Sequence, residues 1–138
     1  MRTLNSKINT KSADFQENYR QMTELLEELD KKMEKSRFQG RDKHIDKARK
    51  QEKLLARERI ERTLDQDSPF LELLPLAGLG GEGFGAGGTM VAGIGLVQGK
   101  LTLVTANVDT NKGRAIAYAT LQKVLRINVI ALQNRLPV

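Results

Sequence analysis

The sequence predicts an α/β chain: N-terminal helices, then a β-hairpin, then a crossover helix, with the sheet incomplete at the last residue. Three observations carry this. Phe15, Tyr19, Met22, Leu26, Leu29 and Met33 step by four, three, four, three and four, the period of one helix face. Ten of the twelve glycines fall between Gly78 and Gly99, where helix should give way to loop and strand. Two alternating, β-branched runs follow, and then a segment from Arg114 to Gln133 rich in apolar residues, the order of a strand–helix unit.

The first helix is expected over residues 15–36, ended by Gly40. Glu27–Lys31 and Glu28–Lys32 are acid-before-base pairs at four-residue spacing, which leaves their face to solvent. The six apolar residues also read as three heptads, the minimum for a coiled coil, so docking on a partner surface is favoured over a free coil. A second helix is expected from Lys43 to Leu64, with Ala56, Ile60 and Leu64 on one side. Asp67-Ser68-Pro69 stops it, because proline lacks a donor and restricts the residue before it.

Gly78 to Gly88 reads as a loop. Thr89–Val97 and Leu101–Val108 form a hairpin about Gln98-Gly99-Lys100. Asp109 to Gly113 is a polar turn. The helix Arg114–Gln133 has apolar residues around much of its circumference, Ile116, Leu121, Val124, Leu125, Ile127 and Ile130 among them, and is expected to be largely buried. Asn134 to Pro137 closes it, and Val138 should begin the next strand. A strand–helix unit delivers the chain to a parallel neighbour, so the expectation is a fragment or one piece of an assembly, with an apolar face left open. Residues 1–66 are read as a helical segment and residues 67–138 as the start of the sheet domain.

Composition narrows the chemistry. The net charge of +6 is concentrated in residues 35–62, where eleven Lys or Arg meet five Asp or Glu. Such a stretch attracts phosphate-bearing ligands or stands as a solvated, ion-paired face. Interleaved aromatics for base stacking are missing, so nucleic acid is not expected as a partner. With no Cys and a single His44, neither a thiolate or histidine metal cluster nor a histidine-based triad is expected. No apolar run approaches the ~20 residues that cross a bilayer, so no membrane partner is expected. The opening lacks acidic residues until Asp14 but has no amphipathic arginine stripe, so a bacterial cytoplasmic location is preferred over the mitochondrial matrix.

The stretches Gly78 to Gly83 and Gly83 to Gly88 both satisfy G-x-G-x-x-G. Dinucleotide binding needs a helix N-terminus after that pattern. A strand follows instead, so a loop is the reading.

Lys53-Leu54-Leu55-Ala56-Arg57-Glu58-Arg59-Ile60, followed by Asp67-Ser68-Pro69-Phe70-Leu71-Glu72-Leu73, resembles the signature near the start of the carboxyltransferase (β) subunits of biotin-dependent acyl-CoA carboxylases. The likeness continues through Ala92-Gly93-Ile94-Gly95, Ala106-Asn107, Thr110, Lys112-Gly113, Lys123, Leu125-Arg126 and Gln133 to Pro137. The opening, with Leu4, Ile8-Asn9, Ser12, Phe15 and Asn18, is similar to bacterial methylcrotonyl-CoA carboxylase β chains. The turn departs from the family's pattern at Val108-Asp109, Asn111 and Arg114.

That resemblance implies the α/β (α+β) start of a crotonase-like fold, in a ligase-class enzyme that moves a carboxyl group from carboxybiotin to an acyl-CoA such as 3-methylcrotonyl-CoA. It implies biotin carried by a partner, the biotin carboxylase α subunit, together with further copies of the carboxyltransferase subunit. The oxyanion-stabilising segments of the family lie beyond Val138, so this chain alone is expected to be inactive and to hold no catalytic residue and no metal. What it can offer is part of the CoA-binding wall: Asn107, Lys112 and Gly113 at the turn, with Arg57 and Arg59 on the basic helix. The alternative is a non-enzymatic relative that binds acyl-CoA or occupies the carboxylase interface.

Overall fold

A computed structural model describes residues 6–37, 39–80, 85–111 and 118–138. The chain divides into two compact units, one reaching Lys32 and the other spanning Met33–Val138. Helix α1, Ala13–Ser36, starts where Ser12 Oγ accepts the Phe15 N–H at 3.3 Å, a side-chain N-cap. Glu28 pairs with Lys32 at 2.5 Å, as the spacing predicts, and Arg20 bridges Glu17 and Glu24. The predicted apolar stripe lies on this helix, with Tyr19 64% and Met22 58% exposed and Phe15 and Met33 half-buried. The helix ends at Ser36, before Gly40.

Residues 43–64 are not one helix. They form α2, Asp42–Lys50, and α3, Ala56–Thr63. Lys53 donates to the Ala48 carbonyl at 2.9 Å and Glu52 to that of Arg49 at 2.9 Å, with Glu52 at φ 54°. This is a Schellman closure. It went unpredicted because its left-handed position holds glutamate where glycine usually gives the signal. Glu58 then reaches back to the Leu55 N–H at 2.7 Å, the acidic half of a capping box, and also receives Arg49 at 2.9 Å. Those contacts hold the carboxyl of Glu58 below the usual range, the Arg49 hydrogen bond contributing most.

The sheet has three antiparallel strands in the order β1 (Leu71–Glu72), β2 (Met90–Val97), β3 (Lys100–Asn107). The expected hairpin is β2–β3, in register from Met90 opposite Asn107 to Val97 opposite Lys100. Its two turn residues, Gln98 and Gly99, both have positive φ, 50° and 73°, as a type I′ turn requires. The Asp65 carboxylate accepts the N–H groups of both at 2.7 Å. Strand β1 was not anticipated; its two residues pair with Ile94 and Gly93.

Each face of the sheet carries a helix, giving three layers. On one face Ala56 and Ile60 of α3 pack with Val91 and Val108, flanked by Leu64 and Phe70. Gly93 makes this possible by absence of a side chain: a Cβ there would lie 2.3 Å from the Phe70 ring. On the other face Ile127 and Ala131 of helix α4, Tyr118–Gln133, pack with Ala92 and Leu103.

Helix α4 is less buried than its composition predicts, because only one side meets the sheet: Leu125 is 56% exposed and Leu132 80%. The predicted first turn, 114–117, lies outside the described residues. A second Schellman closure ends the helix, with Arg135 at φ 52° and Leu136 donating to Ala131 at 2.9 Å. The chain then returns to the sheet as expected, since the Leu103 N–H donates to the Pro137 carbonyl at 2.9 Å beside β3.

Candidate functional site

Of the residues singled out in the sequence, Asn107 and Arg59 meet at the turn after β3. Asn107 closes that strand and is exposed, while Val108 beside it is 4% exposed and belongs to the α3-side core. Val108 thus anchors the start of the turn in the core, and Asn107 before it faces solvent. The Val108 N–H donates to the Thr89 carbonyl at 2.8 Å, and the Asn111 N–H donates to Val108 at 3.1 Å. The Asn111 side chain donates to the Gly88 carbonyl at 3.1 Å. Thr110 Oγ1 donates to the Gln39 carbonyl. Three partners distant in sequence, Thr89, Gly88 and Gln39, therefore hold residues 108–111. Lys112 and Gly113, two of the predicted ligand residues, lie outside the described residues, as does Arg114.

Arg59 belongs to this site. Its guanidinium donates to the Asn107 carbonyl and stands 3.9 Å from the Asp109 carboxylate. Arg57 does not. Residues two apart on a helix point ~200° apart, and Arg57 turns to β1, where it grips Glu72 in a bidentate pair at 2.7 and 2.9 Å. Both groups are more than two-thirds buried, at 26% and 21% side-chain exposure, so the pair is largely shielded from water. The Arg57 backbone N–H donates to Gln39 Oε1 at 3.0 Å. Each predicted arginine thus has an intrachain use: Arg59 braces the turn from behind, and Arg57 ties α3 to the sheet edge. Between α3 and residues 64–70 lies a cavity of about 530 Å³ lined by Arg57, Arg62, Ser68 and Phe70 among others.

Sequence reasoning missed Gln39, Glu72 and above all Lys123. The Lys123 side chain is 1% exposed, and its Nζ donates to the carbonyls of Met90 at 2.8 Å and Gly87 at 3.3 Å. Burial pushes its pKa down to about 8; the Glu72 charge opposes that fall and the Arg57 charge adds to it. A signal existed in the spacing Thr120, Lys123, Ile127, Ala131, which puts the lysine on the sheet-facing side of α4.

Chemically, the turn offers an exposed amide side chain and a neighbouring guanidinium on a braced backbone. These are groups for holding a polar ligand, not for proton transfer. Among the described residues no cluster of three His, Asp or Glu could hold a metal ion, and no helix is long and apolar enough to cross a membrane.

Comparison with known proteins agrees over most of the chain. Residues 47–138 match the pattern of the carboxyl transferase domain. The probable biotin-dependent acyl-coenzyme A carboxylase beta2 subunit of Mycobacterium tuberculosis is 40% identical over 135 residues, 98% of this chain and 25% of that protein. The probable mitochondrial methylcrotonoyl-CoA carboxylase beta chain of Drosophila melanogaster is 43% identical over 97% of this chain and 24% of its own length. The crystal structure of the geranyl-CoA carboxylase beta subunit of P. aeruginosa superposes with a TM-score of 0.71 at 34% identity, covering 98% of this chain and 26% of that one. The chain spans about a quarter of the length of these relatives.

Proposed function

Because the chain belongs to the carboxyl transferase domain family, we propose that it is the N-terminal portion of the carboxyltransferase (β) subunit of a biotin-dependent acyl-CoA carboxylase, nearest the 3-methylcrotonyl-CoA type. The observation that carries this is the near-complete alignment of the chain with such subunits, at 40% and 43% identity, against a quarter of their length. Residues 67–138 are then the start of the crotonase-like domain. Residues 1–66 precede it as a helical lead, of which α3 lies on the sheet.

In this reading the acyl-CoA is the substrate, and biotin arrives on the α subunit and supplies the carboxyl group. The residues of this chain contribute position. Asn107, Lys112 and Gly113 form part of the wall against coenzyme A, with Arg59 holding that wall and Arg57 fixing the helix that carries Arg59. Placement of this kind accelerates a two-substrate reaction by removing translational and rotational freedom before the chemical step. Further copies of the subunit complete the assembly.

The test is a chimera in which this chain replaces the aligned first quarter of the M. tuberculosis methylcrotonyl-CoA carboxylase beta1 subunit, which is 41% identical over 116 residues. Assembled with its α subunit, the chimera is expected to carboxylate 3-methylcrotonyl-CoA, while the present chain alone gives no turnover. A chimera that assembles correctly yet transfers nothing, or turnover by the chain alone, overturns the proposal.

A further inference from the structure

We propose that Lys123 is a positioning residue that sets the turn at 107–111 from behind, through the Gly87–Met90 segment. Its link to coenzyme A rests on the reading above; the clamp itself does not.

A lysine ammonium carries three donors and is normally kept in water. Here it is buried on the sheet-facing side of α4 and reaches across to two backbone carbonyls, those of Gly87 and Met90. These flank the two residues that hold the turn. Gly88 accepts the Asn111 side-chain N–H at 3.1 Å, and Thr89 accepts the Val108 N–H at 2.8 Å. One helical turn before Lys123, Thr120 adds a second contact: its Oγ1 lies 3.4 Å from both the N–H and the hydroxyl of Thr89.

The segment is therefore held from two sides: the carbonyls of residues 87 and 90 by Lys123 and those of residues 88 and 89 by the turn, with Thr120 touching Thr89 from the α4 side. Gly88 has φ 64°, and a Cβ there would stand 2.6 Å from Thr120 Oγ1, so the helix and segment are in direct apposition. An apolar side chain of the same length at position 123 would fill the space equally well. What it could not do is bridge residues 87 and 90. The lysine thus does a job that packing cannot.

Amide hydrogen exchange on the full chain tests the clamp. In Lys123→Met the Val108 amide is expected to exchange about tenfold faster or more, while the Gln98 amide at the opposite end of the hairpin is unchanged, since local opening exposes a particular bond and global opening exposes all. Equal acceleration at both amides, or none at Val108, overturns the inference. Should Lys123→Met fail to fold, Lys123→Gln carries the test, because its amide keeps two N–H donors. Retained Val108 protection then supports the clamp and lost protection refutes it. Titration with coenzyme A separates the two layers of the argument. A clamp confirmed by exchange with unaltered coenzyme A affinity in Lys123→Met sinks the ligand reading alone, and affinity reduced about fivefold or more joins the two.

Discussion

At the scale of single residues the sequence was least transparent. Arg57 and Arg59 stood out as cations, yet their use is set by Glu72 and Asn107, which lie 15 and 48 positions away from them. Helical spacing alone shows that two such residues diverge; it does not name their partners. Lys123 entered only as part of the family likeness and was given no role, although Thr120 before it and Ile127 after it share its buried side of α4. Its titration has a definite sign. The folded pKa, about 8, lies below the ordinary 10.5, so the unfolded chain binds more protons between those values. The native state therefore gains stability as pH rises through that window and bears the full penalty of the buried charge below it. A neutral amine still has two N–H groups for its two carbonyls. In urea melts the wild type is expected to gain up to about 3 kcal/mol relative to Lys123→Met between pH ~7.5 and ~10.5. A difference independent of pH would show that this amine titrates like one in water.

At the scale of elements the reading was better where a period or a turn signal operates. The helix of the six-residue stripe, the hairpin and the crossover helix all follow from spacing. The break between α2 and α3 was invisible, because Glu52 occupies a conformation that glycine usually announces. So was β1, whose two residues are too few to show alternation. The α3-side packing depends on glycine in β2. Gly93→Ala places a methyl against the Phe70 ring and the Leu71 carbonyl, and overpacking of this kind is expected to remove about 1–3 kcal/mol. Adding Phe70→Leu should recover part of that loss. Chemical denaturation of the two variants checks it, and an unchanged midpoint for Gly93→Ala would mean that the ring moves aside freely.

At the scale of the whole molecule, the expectation of an unfinished sheet with open apolar faces agrees with what the described residues show. One side of α4 presents Leu121, Leu125, Val129 and Leu132, and α1 presents Tyr19, Met22, Leu26 and Leu29. Among the described residues β3 is an edge strand, with a rung to Pro137 on its outer side. Exposed apolar stripes and free strand edges promote association. The chain alone is expected to sediment with a mass that rises with concentration, and Met22→Asp with Leu29→Asp to lessen that rise. A sharp monomer at all concentrations would contradict it. The size of the assembly was not legible, since the spacing of these residues marks an apolar face without naming what covers it.

The carboxylate of Asp65 also has a meaning in time. The β2–β3 hairpin closes a loop of two residues, whereas Asp65 reaches its turn across more than thirty. Short loops close with less loss of entropy and sooner than long ones. The hairpin should therefore be formed at the folding barrier and the Asp65 clasp added after it. Asp65→Ala is then expected to leave the refolding rate nearly unchanged and to raise the unfolding rate about tenfold. Stopped-flow chevrons decide the order: a variant that refolds slowly instead would put the clasp in the nucleus, and α3 would have to meet the hairpin before the barrier is crossed.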